Sequence, residues 1–268
     1  MEILNFLQYS FIQRAFVAGF FVAIICSALG LFLVLRKMSL IGDGLSHVSF
    51  GAIALGLFFG IYPFYIAIPL VILASILILK ISEKAQIYGD AAIGIVSAIG
   101  ISSGVILASL SHGFNVDLFS YLFGNILAIS NIEVILSALL SIIVMAAIYF
   151  FYWDLFSATF DEEYAKTTGI KTSFINNLLT ILTAVTVVLS IRMVGVMLVS
   201  ALLILPAVTA LQLSRGFTKA MIIGAAASLF SVILGISFSF FLDLPTGATI
   251  VMINVAFFGA AFVYKKIS

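Results

Sequence analysis

Charge is scarce in this chain. Of its 268 residues only 9% are Asp, Glu, Lys or Arg, against 64% hydrophobic, and the mean hydropathy is +1.33. That shortage excludes a soluble globular domain, in which about a quarter of residues are charged, and sets the class as a polytopic membrane protein. Cysteine is nearly missing as well. The solitary Cys26 excludes an internal disulfide and any metal site built on several thiolates, and reads as a packing residue in the first apolar run. Ile25 before it is not the small residue that bacterial lipoprotein processing requires. The N-terminus lacks a basic n-region and a small-x-small cleavage site, so this run is expected to stay as a span. No G-x-x-x-x-G-K-[ST] phosphate loop is present, and neither His-Glu-x-x-His nor a nucleophile–base arrangement appears, which speaks against an intramembrane enzyme. The formal charge of +1 points to no partner, and no nucleic-acid partner is expected. There is no internal repeat, low-complexity tract or soluble insert, so residues 1–268 are read as one transmembrane domain.

What the chain does have is long apolar runs, each of about twenty residues and enough to cross ~30 Å of hydrocarbon. They predict an all-α helical bundle with spans near 15–35, 41–60, 63–80, 90–110, 133–152, 174–191, 194–213, 220–241 and 247–264. That makes nine spans, or eight if the 174–213 block, split only by Arg192 and the following Met-Val-Gly, does not divide. The run Asp117 to Ser130 is too short and polar to cross and predicts a re-entrant or interfacial helix. With the N-terminus outside, ten basic residues (Arg36, Lys37, Lys80, Lys84, Lys166, Lys171, Arg215, Lys219, Lys265 and Lys266) fall on the cytoplasmic side and two, Arg14 and Arg192, fall outside. This positive-inside bias predicts an external N-terminus and a cytoplasmic C-terminus in a plasma membrane.

Against this background the segment Met38 to Gly51 stands out. It places Asp43 and His47 four residues apart, one helical turn, so both side chains share a face. Ionisable groups in a span cost about 2.5–3.5 kcal/mol and usually face a protein interior or a watery path. The pair reads either as a hydrogen-bonded tie between helices or as part of a site for a divalent transition metal, which favours imidazole and carboxylate. Counted from Lys37 along a continuous helix, His47 would lie about 15 Å deep. One chain offers two ligands to a metal that prefers four, and a two-fold dimer with this span on its axis would supply the rest.

Other residues carry weaker signals. His112 and Asp117 are external and either catch a cation at the mouth of a pathway or cap an interfacial helix. Pro206 should kink the seventh span, with Ser200 and Thr209 available to the freed backbone, as a static bend or a hinge. Gly56 with Gly60 and Gly100 with Gly104 are small-xxx-small pairs that allow close backbone approach. Asn176, Asn177 and Asn254 are expected to bond between helices. In the cytoplasmic stretch Asp154 to Ser173, Asp161, Glu162 and Glu163 should open a short helix, Glu162 can pair with Lys166, and Gly169 suits the C-terminal cap. This helix is either a solvated connector or a docking surface. Any ATP used here must be bound by another chain. Without one, the same residues would describe a secondary metal transporter or channel, or an assembly subunit.

Four segments together resemble the membrane permeases of bacterial and archaeal ABC importers for zinc, manganese or iron(II). They are Arg36-Lys-Met-Ser-Leu-Ile-Gly-Asp-Gly-Leu-Ser-His47, Val116 to Leu127, Asp161 to Gly169, and Gly195 to Ala210. The resemblance implies a homodimer in the lipid bilayer, two cytoplasmic ATPase subunits and an extracytoplasmic metal-binding protein. It implies metal contact at Asp43 and His47, ATPase coupling through Asp161 to Gly169, and no permanently bound cofactor besides the transported ion. The wording Gly42-Asp-Gly-Leu-Ser-His-Val-Ser-Phe-Gly51 is most similar to zinc permeases, and manganese members carry the same Asp and His.

Overall fold

The computed structural model describes residues 8–85, 88–111, 118–125, 129–196 and 199–267. Among them the chain forms twelve helices and no strand: α1 (Ser10–Leu35), α2 (Ile41–Phe58), α3 (Pro63–Ala85), α4 (Gly89–Leu110), α5 (Leu118–Phe123), α6 (Asn131–Phe150), α7 (Tyr152–Phe160), α8 (Glu162–Thr167), α9 (Thr172–Val194), α10 (Val199–Leu213), α11 (Phe217–Leu242) and α12 (Thr246–Ile267). Eight are long and apolar enough to cross a membrane. The expected span over 194–213 is shorter, a 15-residue helix of about 22 Å that begins at Val199. The sharp turn before it falls at Gly195, whose φ of +86° a residue with a Cβ rarely adopts.

α1, α2 and α9 are the most buried helices, while α3, α4, α6, α11 and α12 turn broad apolar faces outward, as lipid-facing helices do. Small residues set the closest seam. Gly51 of α2 abuts the Gly100 carbonyl of α4, and Gly104 packs against Phe50 and Gly51, so the predicted Gly100–Gly104 pair works within one chain. Gly30 of α1 likewise lies against the Leu203 carbonyl of α10. Polar side chains tie helices as expected: Asn254 of α12 donates to Ser231 Oγ of α11 at 2.8 Å, and Asn176 accepts from Arg36.

Two ends of the bundle are marked by contacts between distant segments. At one, Arg36 after α1 meets Glu162 of α8 and Asn176 of α9, and Phe217 of α11 packs on Phe32 and on Phe156 of α7. At the other, Tyr9 stacks near Phe240, Gly195 abuts the Leu122 carbonyl, and the Val196 amide donates to the Tyr121 carbonyl at 2.9 Å. α10 leaves the second end beside Val196 and reaches the first before Phe217, so it too runs end to end. The expected re-entrant helix is α5, six residues long, wedged at the second end with Tyr121 buried.

One expectation needs correction, and the contact offered to Thr209 is made elsewhere. The path from Lys37 to His47 is not one helix. α1 stops at Leu35 and α2 starts at Ile41, so His47 lies six residues, about 9 Å, into its own helix rather than 15 Å from Lys37. Helix α10 continues through Pro206, and Thr209 donates to the Leu205 carbonyl at 2.7 Å, not to the Leu202 carbonyl that Pro206 frees. His112 and Asp117 lie outside the described residues.

Candidate metal site in α2

The site begins with a turn. Lys37 takes a left-handed conformation, φ +58°, while its amide donates to Val34 and the Met38 amide to Leu33 at 2.9 Å, which closes the end of α1. α2 then starts at Ile41 and places Asp43 in its first turn, where a carboxylate meets the positive end of the helix. Gly44 allows Ile93 of α4 to pack directly on the backbone beneath the pair, and Gly100 presses against the backbone of His47 and Val48. The face of α2 next to the pair is thus held by α4.

His47 Nε2 lies 3.7 Å from Asp43 Oδ2. That is too long for a hydrogen bond, so the simple tie between the two side chains is not made. Two ligands of a tetrahedral metal, bound at about 2.0–2.2 Å, stand roughly 3.4 Å apart, so a shift of a few tenths of an ångström would let one ion bridge this pair. Both side chains are accessible, Asp43 at 46% and His47 at 23%. His47 Nδ1 is buried and has no hydrogen-bond partner among the described residues. No group of three or more His, Cys, Asp or Glu side chains gathers there or elsewhere among the described residues. A coordination sphere of carboxylate and imidazole alone therefore needs donors from beyond those residues. Asp43 and His47 are the two candidate ligands the fold brings together.

The second candidate is α8. Asp161 caps it by accepting from the Tyr164 amide at 2.9 Å, and Glu162 and Glu163 occupy its first turn. Lys166 lies 3.4 Å from Glu162 and 3.5 Å from Glu163, and Glu162, by charge and then by hydrogen bond, holds the Lys166 ammonium above its ordinary value. Gly169, φ +88°, closes the helix. Ala165 is fully buried and Tyr164 exposed, so the helix has an inner and an outer face. Glu162 also faces Arg36 Nη2 at 3.6 Å. Arg36 is 7% exposed, and burial pulls its guanidinium below the ordinary value while Glu162 pushes it back up. Sequence reading treats Arg36 as one more cytoplasmic cation. No local spacing announces a partner 140 residues away, and its adjacency to the last apolar turn of α1 is the one available hint.

An all-helical membrane bundle with an Asp–His pair on a buried helix and a capped polar helix at one end fits a membrane transport subunit. The chain belongs to the ABC 3 transport family, which it matches over residues 8–265, and is a permease of the metal ABC importer class. It is 33% identical to the manganese transport system membrane protein MntC of Halalkalibacterium halodurans, over 97% of this chain and 89% of that one. It is 36% identical to a Haemophilus influenzae protein named for iron transport, over 97% of this chain and 96% of that one. The high-affinity zinc uptake protein ZnuB of the same organism is 34% identical, over 95% and 96%. Among solved structures, PsaBC from Streptococcus pneumoniae in complex with Fab matches with a TM-score of 0.88 at 32% identity, over 97% of this chain and 94% of that one. Relatives named for three different metals are about equally similar, so the comparisons do not single out zinc.

Proposed function

We propose that this permease carries a divalent transition-metal ion into the cytoplasm and that Asp43 and His47 are its contacts with the ion. The observation that carries this reading is the pair itself: imidazole and carboxylate on one turn of a membrane helix, 3.7 Å apart, accessible and without a direct hydrogen bond. Zinc, manganese and iron(II) all accept nitrogen and oxygen ligands. Zinc is the first ion to test, on the wording of Gly42 to Gly51, with manganese and iron(II) as the alternatives. Because one chain supplies two ligands, the reading includes a homodimer whose two-fold axis brings a second Asp43 and His47. The chain has no phosphate loop, so two separate ATPase subunits would dock at α8, around Asp161, Glu162, Glu163 and Gly169. An extracytoplasmic binding protein would hand the ion over at the end that holds α5, toward which His112 and Asp117 lead in sequence. The N-terminus is then outside and the C-terminus cytoplasmic. The test is uptake of radioactive zinc, manganese and iron(II), each alone and then in competition, by cells with and without this chain and its ATPase. Uptake that depends on the chain but not on ATP would favour a secondary transporter. No dependence on the chain for any of the three ions would end the metal reading.

A further inference from the structure

Arg36 ends α1 inside the protein rather than in solvent. Its Nη2 donates to Asn176 Oδ1 of α9 and faces Glu162 Oε2 of α8 at 3.6 Å. Its Nη1 is buried with no hydrogen-bond partner among the described residues. Glu162 is shared on its outer side with Lys166 at 3.4 Å. A buried guanidinium that loses its carboxylate becomes an uncompensated charge, so α8 cannot be drawn away while Arg36 stays in place without a large penalty. The backbone beyond Arg36 has little slack either. Short turn bonds run from Lys37 to Val34, Met38 to Leu33, Ile41 to Met38 and Gly44 to Leu40, and end in the first turn of α2, where Asp43 stands one turn before His47.

We propose that Arg36 is the positioning residue that transmits displacement of α8 to the α1–α2 turn, and so to the Asp43–His47 pair. The proposal rests on α8 being the surface where an ATPase docks. Arginine suits this place because its planar fork reaches Asn176 and Glu162 together, whereas lysine offers a point charge that can keep the ion pair but not both contacts. A purely structural tie would act alike in every nucleotide state. A transmitting residue matters only when the partner changes state.

The experiment follows the turn itself. Leu40 sits on it, 51% exposed, and takes a reporter as Leu40→Cys in a Cys26→Ala background. The full chain with its ATPase, in proteoliposomes, is labelled with a maleimide without nucleotide and after trapping with ATP and vanadate. The expected labelling rates differ by about fivefold or more between the two states with Arg36 present, by less than about twofold in R36Q, and by an intermediate factor in R36K, with the ATPase still captured in both variants. If R36Q does not accumulate, R36K decides the matter, because it keeps the buried charge opposite Glu162. A full nucleotide response in R36K or R36Q overturns the proposal. So does loss of the ATPase from either variant, which would make Arg36 a support for the docking surface, and so does a parent that captures the ATPase yet shows no response. A parent that captures no ATPase instead overturns the docking role of α8, a result distinguishable by pull-down alone.

Discussion

At the residue scale the proposed metal contact rests on two side chains of different chemistry. Asp43 offers a carboxylate near a helix start, and His47 offers an imidazole one turn further in, where α4 packs on its backbone. Asp43→Asn keeps the shape and removes the charge, and His47→Ala removes the nitrogen. Each is expected to lower metal uptake by at least the about 10–100-fold that loss of a mere supporting contact costs a metal site, while the protein remains inserted and monodisperse in detergent. Near-normal uptake by both variants would remove the pair from the pathway. Lys166 behaves differently. Its raised pKa means its pairing with Glu162 is present at neutral pH and is lost only as pH rises through the raised value in strong alkali. The exposed Lys166 ammonium therefore gives α8 no pH sensitivity in the range where cells live.

At the element scale, glycine decides how close α2 and α4 can come. A Cβ on Gly100 would meet the backbone of Val48 and His47, so Gly100→Ala must push the helices apart; we expect a loss of about 1–3 kcal/mol, read as a lower melting temperature in detergent, with reduced metal affinity because His47 moves. Gly94 of the same helix has open space at its Cβ, so Gly94→Ala is the control and should be neutral or stabilising by up to about 1 kcal/mol. A melting temperature unchanged in Gly100→Ala would show the seam to be loose. Helix α8 offers a second test: Ala165→Pro removes the bond from the Ala165 amide to the Asp161 carbonyl and should cost about 3 kcal/mol locally, so ATPase co-purification falls while metal binding at α2 survives. The positions of these elements were legible in the sequence because long apolar runs, the Asp161 cap and Gly169 are local signals. The break between α1 and α2 was legible too, between the spans near 15–35 and 41–60, but the left-handed turn at Lys37 that makes it was not, because lysine does not announce such a turn as glycine would. Nor was the burial of Arg36, which depends on Glu162 and Asn176 arriving from far along the chain. The Asp–His spacing was legible, but its failure to form a hydrogen bond is a matter of side-chain geometry that no spacing fixes.

At the scale of the whole molecule, two ends and a count of crossings determine which way the transporter works. The end that gathers Arg36, Glu162 and Phe217 also lies at the C-termini of α1 and α10, and the end that gathers Tyr9, Tyr121 and Val196 lies at their starts. Ten of the twelve Lys and Arg residues belong, on a nine-crossing path, to the first end, and this positive-inside bias is the argument for the proposed orientation, with that end cytoplasmic. The weak link in the count is α10, whose 15 residues span about 22 Å, less than the hydrocarbon core. Its neighbours bear on the shortfall, since Gly195 and Val196, just before α10, pack on the backbone of α5 rather than standing free. Single cysteines in a Cys26→Ala background test this directly. Leu244→Cys should react with a membrane-impermeant maleimide on intact cells, whereas Lys84→Cys, Lys166→Cys and Lys266→Cys should react only after permeabilisation. Labelling of Lys266→Cys from outside, with Lys166→Cys still protected, would mean that one helix after α8 fails to cross, and α10 would be that helix. Labelling of Lys166→Cys from outside would invert the bundle and place the Asp43–His47 pair nearer the external end, where it would receive an ion early in import rather than release it late.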